Sequence, residues 1–368
     1  MDPDTLRASI PALEETVYLN TGAASPSPRP VVDAVTDFLR YHEFEAPAGE
    51  GMYPAAFDEL DAARDTVASF LGAEPHEIAL TRSTADGVNL IASAFPFEPG
   101  DTVVRTDLEH PAGRLPWDRL ADLHDLEVRV LETERGRLSM DALKAAVEDA
   151  ALVSLSSLTW THGTRLPVSE IVDIAHDAGA RVLDDAVQAP GQVPVDVTEW
   201  GADFVVGAGH KWLLGIWGGG FCYVSDDAIE ELAPRRIGYM SVDDMDEPGY
   251  TYREGARRLE VGTTSPLPAV GLAAAVDTIE SIGMDTIQDR IERLTDRLKE
   301  GIDDDALLSP REYESGLVTF RVDDPESTVE RLREQGVVVR SLPSPHAVRA
   351  SVHAFNTAGD IDALLDGL

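Results

Sequence analysis

The 368-residue chain is 43% apolar, enough for a sizeable core, and sets 67 acidic against 30 basic residues, a formal charge of -37. The acidity is spread along the whole length, which argues against nucleic acid and anionic membrane as partners, since both need a basic footprint. Spread acidity with only three lysines, Lys144, Lys211 and Lys299, is the solubility pattern of proteins working in concentrated salt. The lone cysteine, Cys222, excludes an internal disulfide and fits a reducing cytoplasm. The start, Met1-Asp2-Pro3-Asp4-Thr5, has no basic-then-apolar signal pattern and no apolar run reaches membrane-spanning length, so a cytoplasmic protein is expected.

In chain order, Tyr18-Leu19-Asn20-Thr21-Gly22-Ala23-Ala24 reads as a short strand opening into a small-residue loop, and prolines at 26, 28 and 30 start a helix to about His42. Asp58 to Leu71 is helical and stops at Gly72. A strand at Glu77 to Thr81 turns through Arg82-Ser83-Thr84-Ala85 into the next helix. Hydroxyls and free N–H groups there would hold a phosphate, although plain helix capping explains the same residues. The strand Thr102 to Arg105 closes at Asp107-Leu108-Glu109-His110-Pro111. His110 either faces the crevice at the strand's C-terminal end or sits on a surface loop. Strands follow at 127–131, 152–158 and 181–183, with helices at 140–150 and 168–176. The loop Thr159-Trp160-Thr161-His162-Gly163-Thr164 follows the second of these strands, and Asp184-Asp185 with Gln188 ends the third. The alternation predicts an α/β fold with a mostly parallel sheet. The nine histidines show no metal-ligand spacing, so no metal is expected.

The next segment, Gly207-Ala208-Gly209-His210-Lys211-Trp212-Leu213-Leu214-Gly215-Ile216-Trp217-Gly218-Gly219-Gly220, joins two apolar strands, Phe204-Val205-Val206 and Phe221-Cys222-Tyr223-Val224. A lysine held among apolar neighbours has its pKa lowered and can attack a carbonyl to form a Schiff base; the plain alternative is a lysine snorkelling to solvent. Beyond Val224 a loop rich in Met, Asp, Gly and Tyr runs from Met240 to Arg253. A long helical section, 269–302, then leads to strands at 317–322, 337–340 and 348–355 and helices at 328–335 and from 359. The expected division is an N-terminal segment 1–17, a large domain 18–265, and a smaller C-terminal α+β domain 266–368, with the boundary near Pro266.

A buried lysine, a strand-end acid with an amide three residues on, and a phosphate-type helix start meet the needs of pyridoxal 5'-phosphate: an amine for its aldehyde, a carboxylate for its ring nitrogen and a dipole for its phosphate. Alternation puts Asp185 on the face of Leu183, so Asp185 rather than Asp184 is the expected ring-nitrogen partner, with Gln188 near the phenolic oxygen. An ordinary strand-end acid is the alternative. The chain resembles the class V aminotransferases among the fold-type-I pyridoxal-phosphate enzymes, a group with cysteine desulfurases, selenocysteine lyases and isopenicillin N epimerases. The likeness runs from Tyr18-Leu19-Asn20 to Phe355-Asn356-Thr357. It implies that Lys211 of the His210-Lys211 pair carries the cofactor and acts as catalytic base, and that His110 stacks on the ring. It also implies that Ser83-Thr84-Ala85 meets the phosphate, and that Thr263 of Glu260-Val261-Gly262-Thr263 reaches the phosphate of the neighbouring subunit in a homodimer with shared active sites. Arg349 of Arg349-Ala350-Ser351 would clamp the substrate carboxylate, with Asn20 and Ala23 also at the substrate.

The stretch Ser341-Leu342-Pro343-Ser344-Pro345-His346 lacks the loop thiol of the desulfurases, and Thr159-Trp160 replaces their Ser-Asn. His210-Lys211-Trp212-Leu213 with its longer glycine turn, together with the Thr159-Trp160 loop, looks more like the epimerase-like branch. The leading reading is an enzyme that transforms a small amino acid at Cα or Cβ by transamination, epimerisation or elimination. The second is a selenocysteine lyase or cysteine desulfurase. The third, a nucleotide-binding or regulatory α/β protein, conflicts with Lys211 and with the lack of a Gly-x-Gly-x-x-Gly fingerprint.

Overall fold

The structure, a computed structural model, describes residues 1–244 and 249–368. Seven strands form the main sheet: β1 Ile78–Thr81, β2 Thr102–Thr106, β3 Glu127–Leu131, β4 Ala150–Leu155, β5 Arg181–Asp185, β6 Phe204–Ala208 and β7 Gly220–Val224. Their spatial order is β1-β7-β6-β5-β4-β2-β3. The four pairs from β3 to β6 are parallel, and β7 enters antiparallel to both β6 and β1. The fold is therefore α/β with a mostly parallel sheet.

Every residue of β2, β6 and β7 is buried, as expected for strands covered on both faces. Adjacent residues divide between two separate clusters. Val104, Val153, Val182 and Val205 lie in one, and Val103, Leu152, Leu183 and Val206 in the other. Helix Leu267–Ile282 adds to the first cluster and packs on helices Arg29–Phe44 and Met52–Leu71.

A three-stranded antiparallel sheet, β8 Leu317–Phe320, β9 Arg340–Pro343 and β10 His346–Ser351, in order β8-β10-β9, has its own cluster, which includes Leu19, Leu298, Val318 and Val348. The chain start joins it: Val17–Tyr18 pairs parallel with Val337–Val338, and Asn20 bridges to Ser351.

The structure departs from the sequence reading at several elements. Helix Pro111–His124 was not anticipated, because Pro111, Gly113 and Pro116 break its apolar periodicity. Residues 269–302 form two helices, Leu267–Ile282 and Met284–Glu300, bent by 77° at Gly283, whose φ of 88° no other residue tolerates well. The strand expected at 348–355 runs instead from His346 to Ser351, and 341–346 is a tight hairpin with Pro343 opposite His346. The loop expected at 240–253 contains a short pair, Val242–Asp244 with Thr251–Tyr252, and its residues 245–248 lie outside the described residues. Among the described residues no single helix is long and apolar enough to cross a membrane.

Gly191 shows how closely the chain passes beneath the lysine turn. With φ 97°, a Cβ there would stand 2.3 Å from the Trp212 carbonyl oxygen, whereas Gly179, at φ 85°, has nothing within 4 Å. Gly179→Ala should cost only the left-handed penalty of about 1–2 kcal/mol, and Gly191→Ala clearly more, because backbone must move. Thermal unfolding of both variants is the check; equal losses would contradict the close approach.

Candidate active site

The parallel strands end on one side of the sheet, where an open α/β sheet forms its crevice. There β6 enters a glycine-bounded turn. Gly209 N–H donates to the Gly219 carbonyl at 3.0 Å, and Gly215 N–H to the Gly209 carbonyl at 2.8 Å. Gly207 admits the Phe221 ring, which would stand 2.3 Å from a Cβ at that position. Trp212, fully buried, anchors the turn: its indole N–H donates to Gln188 Oε1 at 2.7 Å, and His353 Nε2 meets its carbonyl at 2.9 Å. Burial pushes the His353 imidazole down to about 4, so the ring is neutral and Nε2–H is the donor.

Lys211 follows directly. Its side chain is half-buried and its amine makes no hydrogen bond among the described residues. Burial pushes its pKa down to about 8; Asp185 opposes that shift, and the cations Arg349 and Arg340 reinforce it. The preceding His210 stacks on Trp217 with ring centroids 4.6 Å apart, and burial and Lys211 push it to about 4.

The two acids ending β5 part company. Asp184 accepts from Ser157 N–H at 2.6 Å, and burial raises its pKa far above the carboxylate range. Asp185 accepts from Val187 N–H at 3.1 Å; burial raises it too, while Lys211 holds it down. A third acid stands close to Asp185. Glu109 Oε2 and Asp185 Oδ2 would lie 3.7 and 3.8 Å from a Cβ at Gly113. Glu109 accepts from Ser156 Oγ at 2.6 Å and Thr106 Oγ1 at 2.7 Å, yet burial, with Asp185 adding, pushes it up to about 7. Gln188 is held at both ends: its oxygen by Trp212, and its nitrogen by donation to the Gly22 carbonyl at 3.0 Å. One amide hydrogen stays available.

His110 caps helix Pro111–His124. Its Nδ1 accepts from Ala112 N–H at 3.2 Å, which leaves the hydrogen on Nε2, and burial first, then Lys211, Arg340 and Arg349, push it down to about 4. Trp160 stands edge-on to it at 5.3 Å, fixed by an indole N–H bond to the Leu108 carbonyl at 2.8 Å. At helix Thr84–Ala94, Ser83 Oγ caps Asp86 N–H at 3.1 Å, while Thr84 Oγ1 is buried without a partner. The first-turn N–H groups of this helix have no intrahelical acceptor.

Arg349, on β10, is fully buried. Nη1 donates to the Trp160 carbonyl at 2.7 Å, and Nε and Nη2 have no partner. Ser351 Oγ and Asn20 Oδ1 are likewise unpartnered, and a Cβ at Gly22 would come within 3.1 Å of Arg349 Nη2 and 2.9 Å of Ser351 Oγ. The unused donors of this cradle, Arg349 Nε and Nη2 with the Ser351 hydroxyl over a glycine, fit a carboxylate. Ala23 lies in the adjacent turn, its N–H on the Asn20 carbonyl at 2.9 Å. Thr263 lies elsewhere: exposed, bonded to Tyr239, in a cleft of about 560 Å³ with Thr81, Arg82 and Gly218–Gly220.

A family model for class-V aminotransferases matches residues 17–364. The chain belongs to that family. It is 34% identical to a probable cysteine desulfurase of Methanothermobacter thermautotrophicus, over 99% of this chain and 96% of that protein. Its fold superposes with TM-score 0.92 on the apo cysteine desulfurase of Thermococcus onnurineus, 30% identical, covering 100% of this chain and 97% of that one. It is also similar to the cystine C–S lyase C-DES bound to its reaction product cysteine persulfide, with TM-score 0.91 and 25% identity, over 97% and 98% of the two chains. A variant of that lyase carries glycine covalently linked to its pyridoxal-phosphate cofactor. The architecture is that of the fold-type-I pyridoxal-phosphate enzymes.

The residues present fit that cofactor: an amine without a hydrogen bond, an adjacent buried carboxylate, and an orphaned hydroxyl at a helix start. The sequence reading did not single out Glu109, Gly22 or Arg340 as site residues. In sequence Glu109 is marked only by its place before His110, and no local pattern marks Gly22. Arg340 is recognisable only through its register opposite Arg349.

The lysine's depressed pKa sets a pH dependence. The amine is protonated below about 8 and free above it, and only the free amine attacks a carbonyl. Covalent uptake of pyridoxal phosphate by cofactor-free protein should therefore quicken with pH up to about 8 and level off beyond. Stopped-flow absorbance is the measurement; a rate still climbing through pH 10 would show an ordinary, solvated lysine.

Proposed function

We propose that this class V pyridoxal-phosphate enzyme transforms an amino acid at Cα or Cβ without a protein persulfide. The observation carrying the reading is that Lys211 lies close enough to Asp185, His110 and Arg349 for their charges to act on one another, while Cys222, the chain's one thiol, is sealed in β7. Thr84 with the first-turn N–H groups would hold the cofactor phosphate, with Ser83 capping the helix. Asp185 would face the ring nitrogen, His110 the ring, and Gln188 the phenolic oxygen through its spare amide hydrogen. When bound, the cofactor supplies an electron sink for the bonds at Cα. Arg349 would grip the substrate carboxylate through Nε and Nη2 over Gly22, orienting Cα toward Lys211. An amine with a pKa of about 8 both accepts the Cα proton at Nζ and returns it near neutral pH, as a general base and acid should.

Cys222 is fully buried, and burial pushes its thiol up to about 12, so thiolate is scarce where a persulfide carrier needs it. The hairpin of β9 and β10, which replaces the loop expected to match the desulfurase thiol loop, contains no thiol. A second reading, elimination that cleaves a carbon–sulfur bond and releases the sulfur directly, is supported by the likeness to the cystine C–S lyase and needs no protein thiol. We further take the protein to be a two-fold homodimer in which Thr263 completes the other subunit's phosphate site, supported by its exposure beside Arg82.

A screen of amino acids for keto-acid, inverted or sulfide product, run on wild type and Cys222→Ala, tests the main reading. The variant should lose about 1 kcal/mol of stability from lost packing and keep its specific activity within about threefold. Abolished turnover with fold and cofactor spectrum intact, or a persulfide trapped on Cys222, would overturn it. For assembly, sedimentation should give a dimer, and an active monomer would contradict the shared site.

A further inference from the structure

Buried arginines in this protein are paired with acids, with one exception. Arg64, Arg105 and Arg258 are each at least nine-tenths buried, and each meets a carboxylate: Glu260 at 2.7 Å, Asp118 at 3.3 Å and Glu230 at 2.8 Å. Arg349 is more deeply buried than any of them and meets none among the described residues. An uncompensated buried charge is costly, and this chain has more than twice as many acids as bases to offer. A guanidinium kept from every one of them is held for an anion that the chain does not supply.

A second cation stands beside it. Arg340 on β9 is directly opposite Arg349 on β10. Facing residues of an antiparallel pair share one face of the sheet, with Cβ atoms about 5 Å apart, and like charges so placed repel. The two guanidinium carbons lie 5.9 and 6.0 Å from the centroid of the same Trp160 ring, within cation–π range. Arg340, half-buried, also has no carboxylate partner among the described residues. Its charge is felt across the crevice at Lys211, His110 and Arg349. One carboxylate in the cradle above Gly22 satisfies Arg349 and leaves Arg340 unmatched.

We propose that the substrate is an amino acid carrying a second carboxylate on its side chain, with Arg349 taking the α-carboxylate and Arg340 the side-chain carboxylate beside the Trp160 indole. This rests on the proposed function and narrows its substrate class. A dianion neutralises both guanidinium groups and removes their mutual repulsion; a neutral side chain would leave Arg340 facing apolar atoms.

The test is calorimetric titration of pyridoxal-phosphate-loaded protein at one fixed salt concentration, since ion pairing is screened by salt. The ligands are L-aspartate, L-glutamate and L-alanine, together with succinate and propionate, which lack the amine and report anion pairing alone. A charge-assisted contact of the usual strength makes the better acidic amino acid bind at least about tenfold tighter than L-alanine. Arg340→Gln should weaken that ligand and succinate far more than L-alanine and propionate, whereas Arg349→Gln should weaken every carboxylate. L-alanine binding as tightly as both acidic amino acids, or an Arg340→Gln loss shared equally by all ligands, would overturn the proposal. The two readings fail separately. Neutral amino acids converted with no preference for succinate over propionate sinks the paired site alone. An Arg340-dependent preference for succinate with no amino acid converted upholds the paired site and sinks the enzymatic reading.

Discussion

Partial burial of Lys211, with no hydrogen-bond acceptor for its amine among the described residues, is the constraint on which the rest of the structure depends. In water a lysine is cationic well above neutral pH; here burial takes its pKa to about 8 even though Asp185 pulls the other way. A side chain as long as lysine would escape to solvent unless its backbone were fixed, and the fixing is done from three directions. Gly191 passes beneath the Trp212 carbonyl, His353 binds that carbonyl from the small sheet, and Gln188 takes the Trp212 indole N–H. The same Gln188 reaches the Gly22 carbonyl, so the turn that sets the lysine also sets the floor under the Arg349 cradle. Amine and guanidinium are thus positioned by one continuous set of hydrogen bonds and close contacts.

The carboxylates follow a second logic. Glu109 and Asp185 approach each other in a buried space, and two like charges there cannot both ionise cheaply. Burial first, with the Asp185 charge adding, pushes Glu109 up to about 7 against the Ser156 and Thr106 hydroxyls that donate to it; burial raises Asp185 too, while Lys211 holds it down. Asp185, the acid facing the amine, is thus the one of the two with a cation to oppose its burial. The division is set by neighbours rather than by residue type, since both are ordinary carboxylic acids in sequence.

Those neighbours explain how much the sequence could reveal. The parallel core was legible because Val103-Val104, Leu152-Val153 and Val205-Val206 are doubly apolar, the pattern of strands covered on both faces. Lys211 and Asp185 could be singled out because one sits in the glycine-bounded turn joining two such strands and the other ends one. Helix Pro111–His124 was hidden by its prolines, and the break at Gly283 by continuous apolar periodicity on either side. The cradle over Gly22 was legible only through the family resemblance, which put Asn20, Ala23 and Arg349 at the substrate, and not through any local pattern. It joins Asn20 to Arg349 and Ser351, more than three hundred residues apart, and the link is a strand bridge and an absent Cβ rather than any local pattern. Arg340 was missed for a related reason: its expected strand ended at residue 340, whereas the hairpin runs on and places it opposite Arg349.

The loop after β4 is where the two sheets become one device. Three side chains of the small sheet and its approach grip it: Arg349 Nη1 on the Trp160 carbonyl at 2.7 Å, Thr319 Oγ1 on the Thr161 carbonyl at 2.6 Å, and Ser315 Oγ on the Gly163 carbonyl at 2.7 Å. From the other side, the Trp160 indole N–H binds the Leu108 carbonyl next to Glu109 and His110. Displacing the small sheet would therefore drag the loop, and displacing the loop would carry the indole, its two flanking guanidinium groups and the edge contact to His110 together. Trp160 is a rigid, amphipathic plate with one N–H to fix it. A single ring thus meets both guanidinium groups within cation–π range and the His110 imidazole at its edge, so one side chain sets the spacing of two cations and an imidazole.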